Sequence, residues 1–317
     1  MAQAQPVQSQ AQQRVQRARM ADQTAHIVFF ICAILIVAVI IGVFVFVGIQ
    51  GFRLFGEDPH ARNFLTSTNW DPDGANGTTS YGTLGFILGS VITTLIAIVV
   101  VTPLAFGMAL FMTEITPKWL EGILRPLLEI FTGMPSVVIG FLALVILVPF
   151  ISKVVGPLTP NPATAGVGWG TATLVLIIMI LPTVISISID AVRAVPDSVR
   201  EASLALGSTR WQMMRNAIIP AATTGLATAV VFGIARAIGE ALAVSMVLKG
   251  TSLPTNVFTP LAFFQPNVNL TQPIVLYFSD ASGTTRDAYF MLGFLLLVIS
   301  FLFVCVSRYL ASRSVYK

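Results

Sequence analysis

VPDSVREASLALGSTRWQMMRNAIIP, residues 195–220, is the only long polar interruption of this sequence that can itself be helical. Pro196 suits the first turn of a helix, because proline at that position sacrifices an N–H that has no partner anyway. Val199, Ala202 and Leu206 then recur at the spacing of one helix face. The first part of the stretch therefore predicts a short helix with one apolar face.

A second short helix is predicted directly after the first. Gly207 ends the first helix, and Ser208 and Thr209 are good N-cap residues for the next one. The second helix has apolar residues on one face, namely Trp211, Met214 and Ile218, and the pattern ends at Pro220. The local design is a helix, a glycine hinge and a helix.

The face opposite the apolar residues is charged. It carries Arg200, Glu201, Arg210 and Arg215. Composition alone favours an amphipathic hairpin that lies on lipid headgroups.

The rest of the chain has the composition of a membrane protein. Of 317 residues, 55% are hydrophobic and only 10% are charged, and the mean hydropathy is +0.84. Soluble domains have about 25% charged residues. The net charge is +4, but the basic residues are scattered among loops without a basic and aromatic stacking surface, so we expect lipids as partners and no nucleic acid.

Six apolar segments are long enough to span a bilayer, which needs about 20 residues. They lie at about 26–50, 82–112, 134–152, 170–190, 217–248 and 288–310. Residues 1–25, rich in Gln and Ala, are interpreted as a disordered cytoplasmic tail, and residues 26–317 as one membrane domain that includes the loop 191–216. The sequence thus predicts an all-α, multi-pass membrane protein.

The distribution of Lys and Arg predicts the orientation. Of the 18 basic residues, five lie on one side (Arg53, Arg62, Lys153, Lys249 and Arg286), Arg236 lies inside the fifth span, and the other twelve lie on the opposite side. Cytoplasmic loops carry the excess of positive charge. Both termini and the loop 191–216 are therefore predicted to be cytoplasmic, in a bacterial plasma membrane.

The segments outside the spans differ in character. The outer loop 53–80 is acidic and rich in turn residues, with Trp70 and Tyr81 near the positions of interfacial aromatics. The outer loop 249–287 is long and rich in proline, which suits either a docking surface for an external partner or a solvated cap. On the inner side, residues 114–131 have the periodicity of an amphipathic elbow helix.

Residues 133–140, GMPSVVIG, open the third span with Gly and Pro. Two interpretations remain open. Proline is common at the start of an ordinary helix. Alternatively, the segment is a break that leaves backbone groups free, which is tolerated in a membrane only against protein or a water-lined path.

Two ionisable residues lie within the fifth span. Placing Arg236 there is unfavourable, with an insertion free energy of about 2.5–3.5 kcal/mol, so its charge requires a partner or a water-filled cavity. Glu240 follows four residues later, a separation that places two side chains on one helix face. We expect Arg236 to lend positive potential to an anion path and Glu240 to hold it in place; a pair that serves only packing is the alternative.

The order of residues in the loop resembles the EAA loop of ABC importer permeases, commonly written EAA-x3-G-x9-I-x-L-P. The matches are Glu201, Ala202, Gly207 and Pro220, whereas Ser203, Ala217 and Ile219 depart from the pattern. The resemblance implies a docking element that sits in a cleft of a separate ATPase subunit, with Glu201 and Gly207 carried over as contact positions. It also implies the type I importer permease fold.

Residues 236–244, RAIGEALAV, are similar to the corresponding segment of PstC-type permease subunits of bacterial phosphate importers. This resemblance implies a PstA-type second permease, a PstB-type ATPase dimer that binds ATP and Mg, and a PstS-type external phosphate-binding protein. No Gly-x4-Gly-Lys-Ser/Thr loop occurs in this chain, so we expect a transport subunit without ATPase activity or a cofactor of its own. A permease for sulfate or molybdate, and a secondary anion transporter or channel, are the alternatives.

Overall fold

The computed structural model describes residues 5–75, 77–159, 165–250 and 260–314. The chain divides into two compact units, Met1–Gln50 and Gly51–Lys317. The first unit consists of helix, the beginning of α1 (Gln5–Glu57). Residues 5–25, predicted to be a disordered tail, lie in this helix; Gln, Ala and Arg all have high helix propensity, which suits that conformation. The division into tail and permease domain remains a prediction.

The second unit is built from long helices with short ones between them. They are α2 (Leu84–Leu110), α3 (Lys118–Gly133), α4 (Ser136–Leu142), α5 (Val148–Val155), α6 (Trp169–Arg193), α7 (Asp197–Ala205), α8 (Arg210–Met213), α9 (Ile219–Gly239), α10 (Leu242–Val247), α11 (Thr271–Tyr277) and α12 (Gly283–Ser314). Two short strands, β1 (Trp70–Asp71) and β2 (Ser80–Tyr81), pair as an antiparallel hairpin, Trp70 opposite Tyr81. The fold is otherwise helical, as predicted.

Six stretches are long and apolar enough to cross a membrane. They are Asp22–Glu57, Leu84–Ile115, Ser136–Leu158, Trp169–Arg193, Arg210–Gly239 and Gly283–Tyr309. Their number agrees with the sequence prediction, and so does the elbow helix, which is α3. The fifth span differs from the prediction, because it begins at Arg210 and its helix ends at Gly239 rather than near residue 248.

A π-helical turn lies two residues before a proline in three places, at Phe111–Ile115, Ala143–Leu147 and Met214–Ile218. The prolines are Pro117, Pro149 and Pro220. At Pro149 and Pro220 the helix continues, and the wider turn accommodates the clash of the proline ring with the carbonyl of the preceding turn, whereas the chain is extended at Thr116 before Pro117. Pro220 therefore does not end the helix, as the sequence pattern suggested, but lies near the start of α9, after a π turn that continues from α8.

Helix α6 forms the centre of the main hydrophobic core, between α2 and α9. Its Trp169, Val175 and Ile180 are completely buried, although lipid is available on the outside. Small residues of the neighbours, Ala97 in α2 and Ala229 in α9, let the helices approach closely. Membrane helices lack a hydrophobic driving force against lipid, so this tight packing holds the three helices together.

Residues 265–270 form an irregular segment that packs against the N-terminal parts of α2 and α6. The Nε1–H of Trp169 donates to the carbonyl of Val268 at 2.7 Å, and the N–H of Leu270 donates to the Oγ of Ser90 at 2.9 Å. A Cβ on Gly89 would lie 1.9 Å from the Val268 oxygen, so only glycine fits there. This part of the outer loop 249–287 is thus buried and not a solvated cap; residues 251–259 lie outside the described part.

The predicted outer loop 53–80 packs on a core that it shares with α2 and α12. Trp70 is partly buried and packs edge-on against Phe86 of α2 at 5.3 Å between ring centroids, and Tyr81 is 1% exposed. The two aromatics predicted at the membrane interface therefore pack in this core. The Asp58 carboxylate connects parts of the loop by accepting hydrogen bonds from Thr79, the His60 N–H and Tyr81. Desolvation raises the pKa of this carboxyl, but the hydrogen bonds outweigh it and hold the pKa below the usual value.

Candidate functional site: a broken fifth span and the loop between α6 and α9

The fifth span breaks at Glu240. Helix α9 ends at Gly239, Glu240 has extended backbone (φ −78°, ψ 106°), and the short helix α10 begins at Leu242. One Glu240 carboxylate oxygen accepts from the N–H of Ala243 at 3.4 Å, at the start of α10. A break of this kind frees backbone polar groups, and a membrane protein tolerates it only where protein or water satisfies them.

The third span begins directly after an extended link. Met134 and Pro135 have extended backbone between the elbow helix α3 and α4, and Pro135 is the N-cap residue of α4, as in the interpretation of an ordinary helix start. Helix α4 packs closely on α10, since a Cβ on Gly140 would lie 2.6 Å from the Cα of Ala243. The start of the third span therefore meets the segment that follows the break of the fifth span.

Arg236 and Glu240 do not form the predicted ion pair. Ion pairs within 4.0 Å link other partners among the described residues, and Arg236 instead donates from Nη1 to Thr183 Oγ1 of α6 at 2.9 Å. The prediction was wrong because it assumed a continuous helix, in which residues four apart share a face. The extended backbone at Glu240 removes that geometry.

The guanidinium of Arg236 is partly buried and largely unused. Arginine has five N–H donors. In the described part of the chain, one hydrogen bond to this side chain is found, the one to Thr183. Thr183 follows Pro182, which lies inside α6, so Arg236 faces a position where that helix lacks a regular backbone bond. Free donors on a partly buried cation can bind an anion.

The loop between α6 and α9 has the predicted helix, glycine hinge and helix. Gly207 has a left-handed backbone (φ +81°), and the N–H groups of Gly207 and Ser208 bond to the carbonyls of Leu204 and Ser203 at the end of α7. This is the Schellman pattern of helix ends, which favours glycine at the left-handed position. Thr209 caps α8 in a capping box with Gln212, which confirms it as the N-cap residue.

The burial of the loop differs from the predicted pattern. In α8 and the π turn after it, Met213, Met214 and Ile218 are buried as a group. In contrast, Ala202 is exposed, Leu206 is 89% exposed and Trp211 is 62% exposed. The predicted apolar face is thus divided: Val199, Met214 and Ile218 pack on one core cluster, whereas Ala202, Leu206 and Trp211 are left uncovered.

The residues carried over from the EAA pattern are also accessible. Glu201, Ala202, Gly207 and Pro220 are all exposed. Arg200, predicted on the charged outer face, is instead turned inward with 18% of its side chain exposed. Sequence reasoning missed this residue, because its partner Glu114 is 86 positions away in the chain.

Metal binding is not indicated by the geometry. Within residues 5–75, 77–159, 165–250 and 260–314, no group of three or more His, Cys, Asp or Glu side chains is placed to hold a metal ion. Cys32 and Cys305 are free and exposed on spans. What the site offers is a cation with spare donors, a broken fifth span and an exposed loop between α6 and α9, which together define a multi-pass helical membrane protein of the transport type.

Comparison with known proteins gives the family. Residues 102–316 match the family described as "Binding-protein-dependent transport system inner membrane component". The chain belongs to this family and is a permease subunit of an ABC importer. Proteins of this kind are transport components and not enzymes, and they act with a binding protein.

Several relatives cover most of the chain. The "Probable ABC transporter permease protein YqgH" of Bacillus subtilis is 41% identical, covering 89% of this chain and 88% of the relative. The "Phosphate transport system permease protein PstC" of Haemophilus influenzae is 31% identical (91% and 90% covered), and that of Mesorhizobium japonicum is 32% identical (97% and 95% covered). The resemblance to PstC-type permeases is therefore confirmed.

Solved structures show the same fold. The MetNI methionine ABC transporter in an inward-facing conformation gives a TM-score of 0.57 at 17% identity, covering 73% of this chain and 95% of that one. A bacterial ABC transporter for alginate gives 0.54 at 14% identity, covering 74% and 80%. The predicted ABC type I importer permease fold is confirmed.

Proposed function

We propose that this chain is one of the two permease subunits of an ATP-driven phosphate importer, with Arg236 in the translocation path. The observation that carries the proposal is the partly buried guanidinium of Arg236, which uses one donor on Thr183 and keeps the others available. A planar guanidinium suits bidentate hydrogen bonding to the oxygens of a phosphate. The relatives named as phosphate transport permeases support the same substrate.

Glu240 has a different role in this proposal. Its carboxylate lies at the break of the fifth span, four residues after Arg236 and engaged with the start of α10. A negative charge close to the path opposes the permanent trapping of an anion at Arg236, since like charges repel. We therefore assign Arg236 to attraction of phosphate and Glu240 to its release.

Coupling to ATP hydrolysis is assigned to the exposed loop between α6 and α9. Leu204, Leu206 and Trp211 form an uncovered apolar surface beside Glu201 and the Gly207 hinge. Interfaces enrich such apolar and aromatic anchors next to charged rims. The occupant is an ATPase dimer that binds ATP and Mg, while a second, PstA-type permease completes the path and an external phosphate-binding protein delivers the substrate.

Two other functions are less well supported. A permease for sulfate or molybdate would use the same free guanidinium, and the Bacillus subtilis relative is named only as a probable permease. A secondary transporter or channel has no use for a cytoplasmic helix, glycine hinge and helix with an exposed apolar surface. The substrate is therefore the point that an experiment must address.

The substrate test is made in cells. Deleting this chain from its host should abolish high-affinity uptake of labelled phosphate and spare that of sulfate and molybdate, and the intact chain should restore it. Loss of sulfate or molybdate uptake with normal phosphate uptake would replace the substrate in this proposal.

The proposed topology is tested by cysteine labelling. In a background without Cys32 and Cys305, single cysteines at the exposed positions Thr68 and Ser282 should react with an impermeant thiol reagent added outside intact cells. A cysteine at the exposed Ala205 should react only after the cells are opened, because the excess of Lys and Arg places α7 in the cytoplasm. Labelling of the Ala205 position from outside would contradict the proposed orientation of the loop.

A further inference from the structure

We infer that Arg200 is a positioning residue that locks helix α7 onto the cytoplasmic ends of two membrane helices, so that a movement of the loop is passed to them. The two contacts involved are those of Arg200 with Glu114 and with the end of α6, and we call this set the Arg200 clamp. The inference rests on the proposed function in one respect, namely that the loop docks on an ATPase.

All five donors of Arg200 are used. Nε and Nη2 donate to one carboxylate oxygen of Glu114 at 3.2 and 3.1 Å. Nη1 donates to the carbonyl of Val195 at 2.6 Å and to Asp197 at 3.1 Å, and Nη2 also donates to the carbonyl of Val192 at 3.0 Å. Five bonds saturate the guanidinium, whereas Arg236 has one.

The partners of Arg200 belong to three different elements. Glu114 lies in the π turn that ends the second span. Val192 lies in the last turn of α6 and Val195 directly beyond it, and the last carbonyls of a helix lack partners within it. Arg200 itself lies in α7, the first helix of the loop. One side chain thus joins the loop to spans two and four.

The environment of the clamp makes it effective. The side chains of Arg200 and Glu114 are only 18% and 10% exposed, so water screens their attraction weakly. Removing one partner would leave the other charge desolvated and unpaired, which is the costly case for a buried ion pair. Lysine in place of Arg200 would keep the charge but could not reproduce five bonds in a planar fork.

Helix α7 has few other attachments. None of its residues is fully buried, and its apolar residues Leu204 and, just beyond its end, Leu206 are exposed. Val199 packs partly against the cytoplasmic core cluster. Without the clamp, α7 would be free to rotate about the turn at Val195 and Pro196, and a push from the ATPase would move the loop without moving the second and fourth spans.

A second ion pair in the same region provides a matched control. Arg193 of α6 contacts Glu121 of α3, with 35% and 29% of the side chains exposed. This pair also joins an element to the end of α6, but it does not include the loop. Glu121→Gln therefore removes a comparable charge on the cytoplasmic side while leaving the clamp intact.

The test compares Glu114→Gln, Arg200→Lys and Glu121→Gln in the full reconstituted importer with labelled phosphate. The readout is phosphate transported per ATP hydrolysed, per assembled complex. We expect the ratio to fall at least about tenfold for Glu114→Gln and Arg200→Lys, with ATP hydrolysis within about twofold of wild type, and to change less than about twofold for Glu121→Gln. A merely structural role would lower the amount of complex and leave the ratio unchanged.

Two outcomes would overturn the inference: an unchanged ratio in both clamp variants, or an equal fall in the control. This experiment also separates a wrong substrate from a wrong inference. If the wild-type complex transports another oxyanion, the ratio of transported anion to hydrolysed ATP is measured with that anion in the same three variants.

Discussion

Replacing Arg236 with Gln is expected to abolish phosphate uptake, by about 100-fold or more, while the importer still assembles. Gln can keep the hydrogen bond to Thr183 but removes the positive charge. A charge about 5 Å from a phosphate contributes about 3 kcal/mol at an effective dielectric constant of about 20, which corresponds to about two orders of magnitude. The measurement is uptake of labelled phosphate normalised to assembled complex.

Three further variants separate charge from packing. Arg236→Lys keeps the charge and should retain part of the uptake. Thr183→Val removes the one partner of Arg236 in the described structure and should have a smaller effect than Arg236→Gln. Glu240→Gln should also be milder, because an amide oxygen can still accept from the Ala243 N–H. Near-normal uptake by Arg236→Gln would leave Arg236 with a packing role only.

Replacing Gly207 with Val is expected to uncouple the importer without removing it from the membrane. Gly207 has φ +81°, a left-handed backbone that costs an L-residue about 1–2 kcal/mol, and a β-branched residue resists it further. A Cβ at this position meets nothing within 4 Å, so the effect comes from the backbone alone. A cost of this size disfavours the present hinge by about 5- to 30-fold. ATP turnover dependent on loaded binding protein should fall accordingly.

The chain offers a matched control for this substitution. Gly122 lies exposed on α3, has no unusual φ, and also meets nothing within 4 Å of an added Cβ. Gly122→Val should leave coupling intact, and Gly207→Asn should be milder than Gly207→Val, because Asn tolerates the left-handed region. Normal phosphate-dependent ATP turnover in Gly207→Val would contradict the role of the hinge.

Much of this fold follows from local rules of sequence. The positions of the membrane spans could be predicted from the length of the apolar segments. The hinge could be predicted from Gly207 and the capping residue Thr209 close behind it. Both predictions need only residues that are neighbours in the sequence. The start of α4 directly after Pro135 also agrees with one of the two interpretations of the sequence, because proline is common at the start of a helix. These features do not depend on contacts between distant parts of the chain.

The features that failed in prediction all depend on distant contacts. Nothing local marks the end of α9 at Gly239, and the break accompanies the close crossing of α10 over Gly140 of α4. Arg200 lies on the charged side of the helical pattern and was therefore predicted to be exposed to solvent. Its contacts with Glu114 and with the end of α6 turn it inward. Val268 lies in a segment whose sequence is typical of a loop, yet it is buried against Trp169 and Gly89. Periodicity within one helix contains no information on such partners.

The most direct test of the proposed function is transport by the purified complex. Proteoliposomes should contain this chain, its second permease and the ATPase, with the external binding protein added and labelled phosphate, sulfate and molybdate offered in parallel. We predict ATP-dependent accumulation of phosphate alone, lost in Arg236→Gln. Accumulation of phosphate without ATP, or preferential accumulation of sulfate or molybdate, would contradict the assignment of this chain to an ATP-driven phosphate importer.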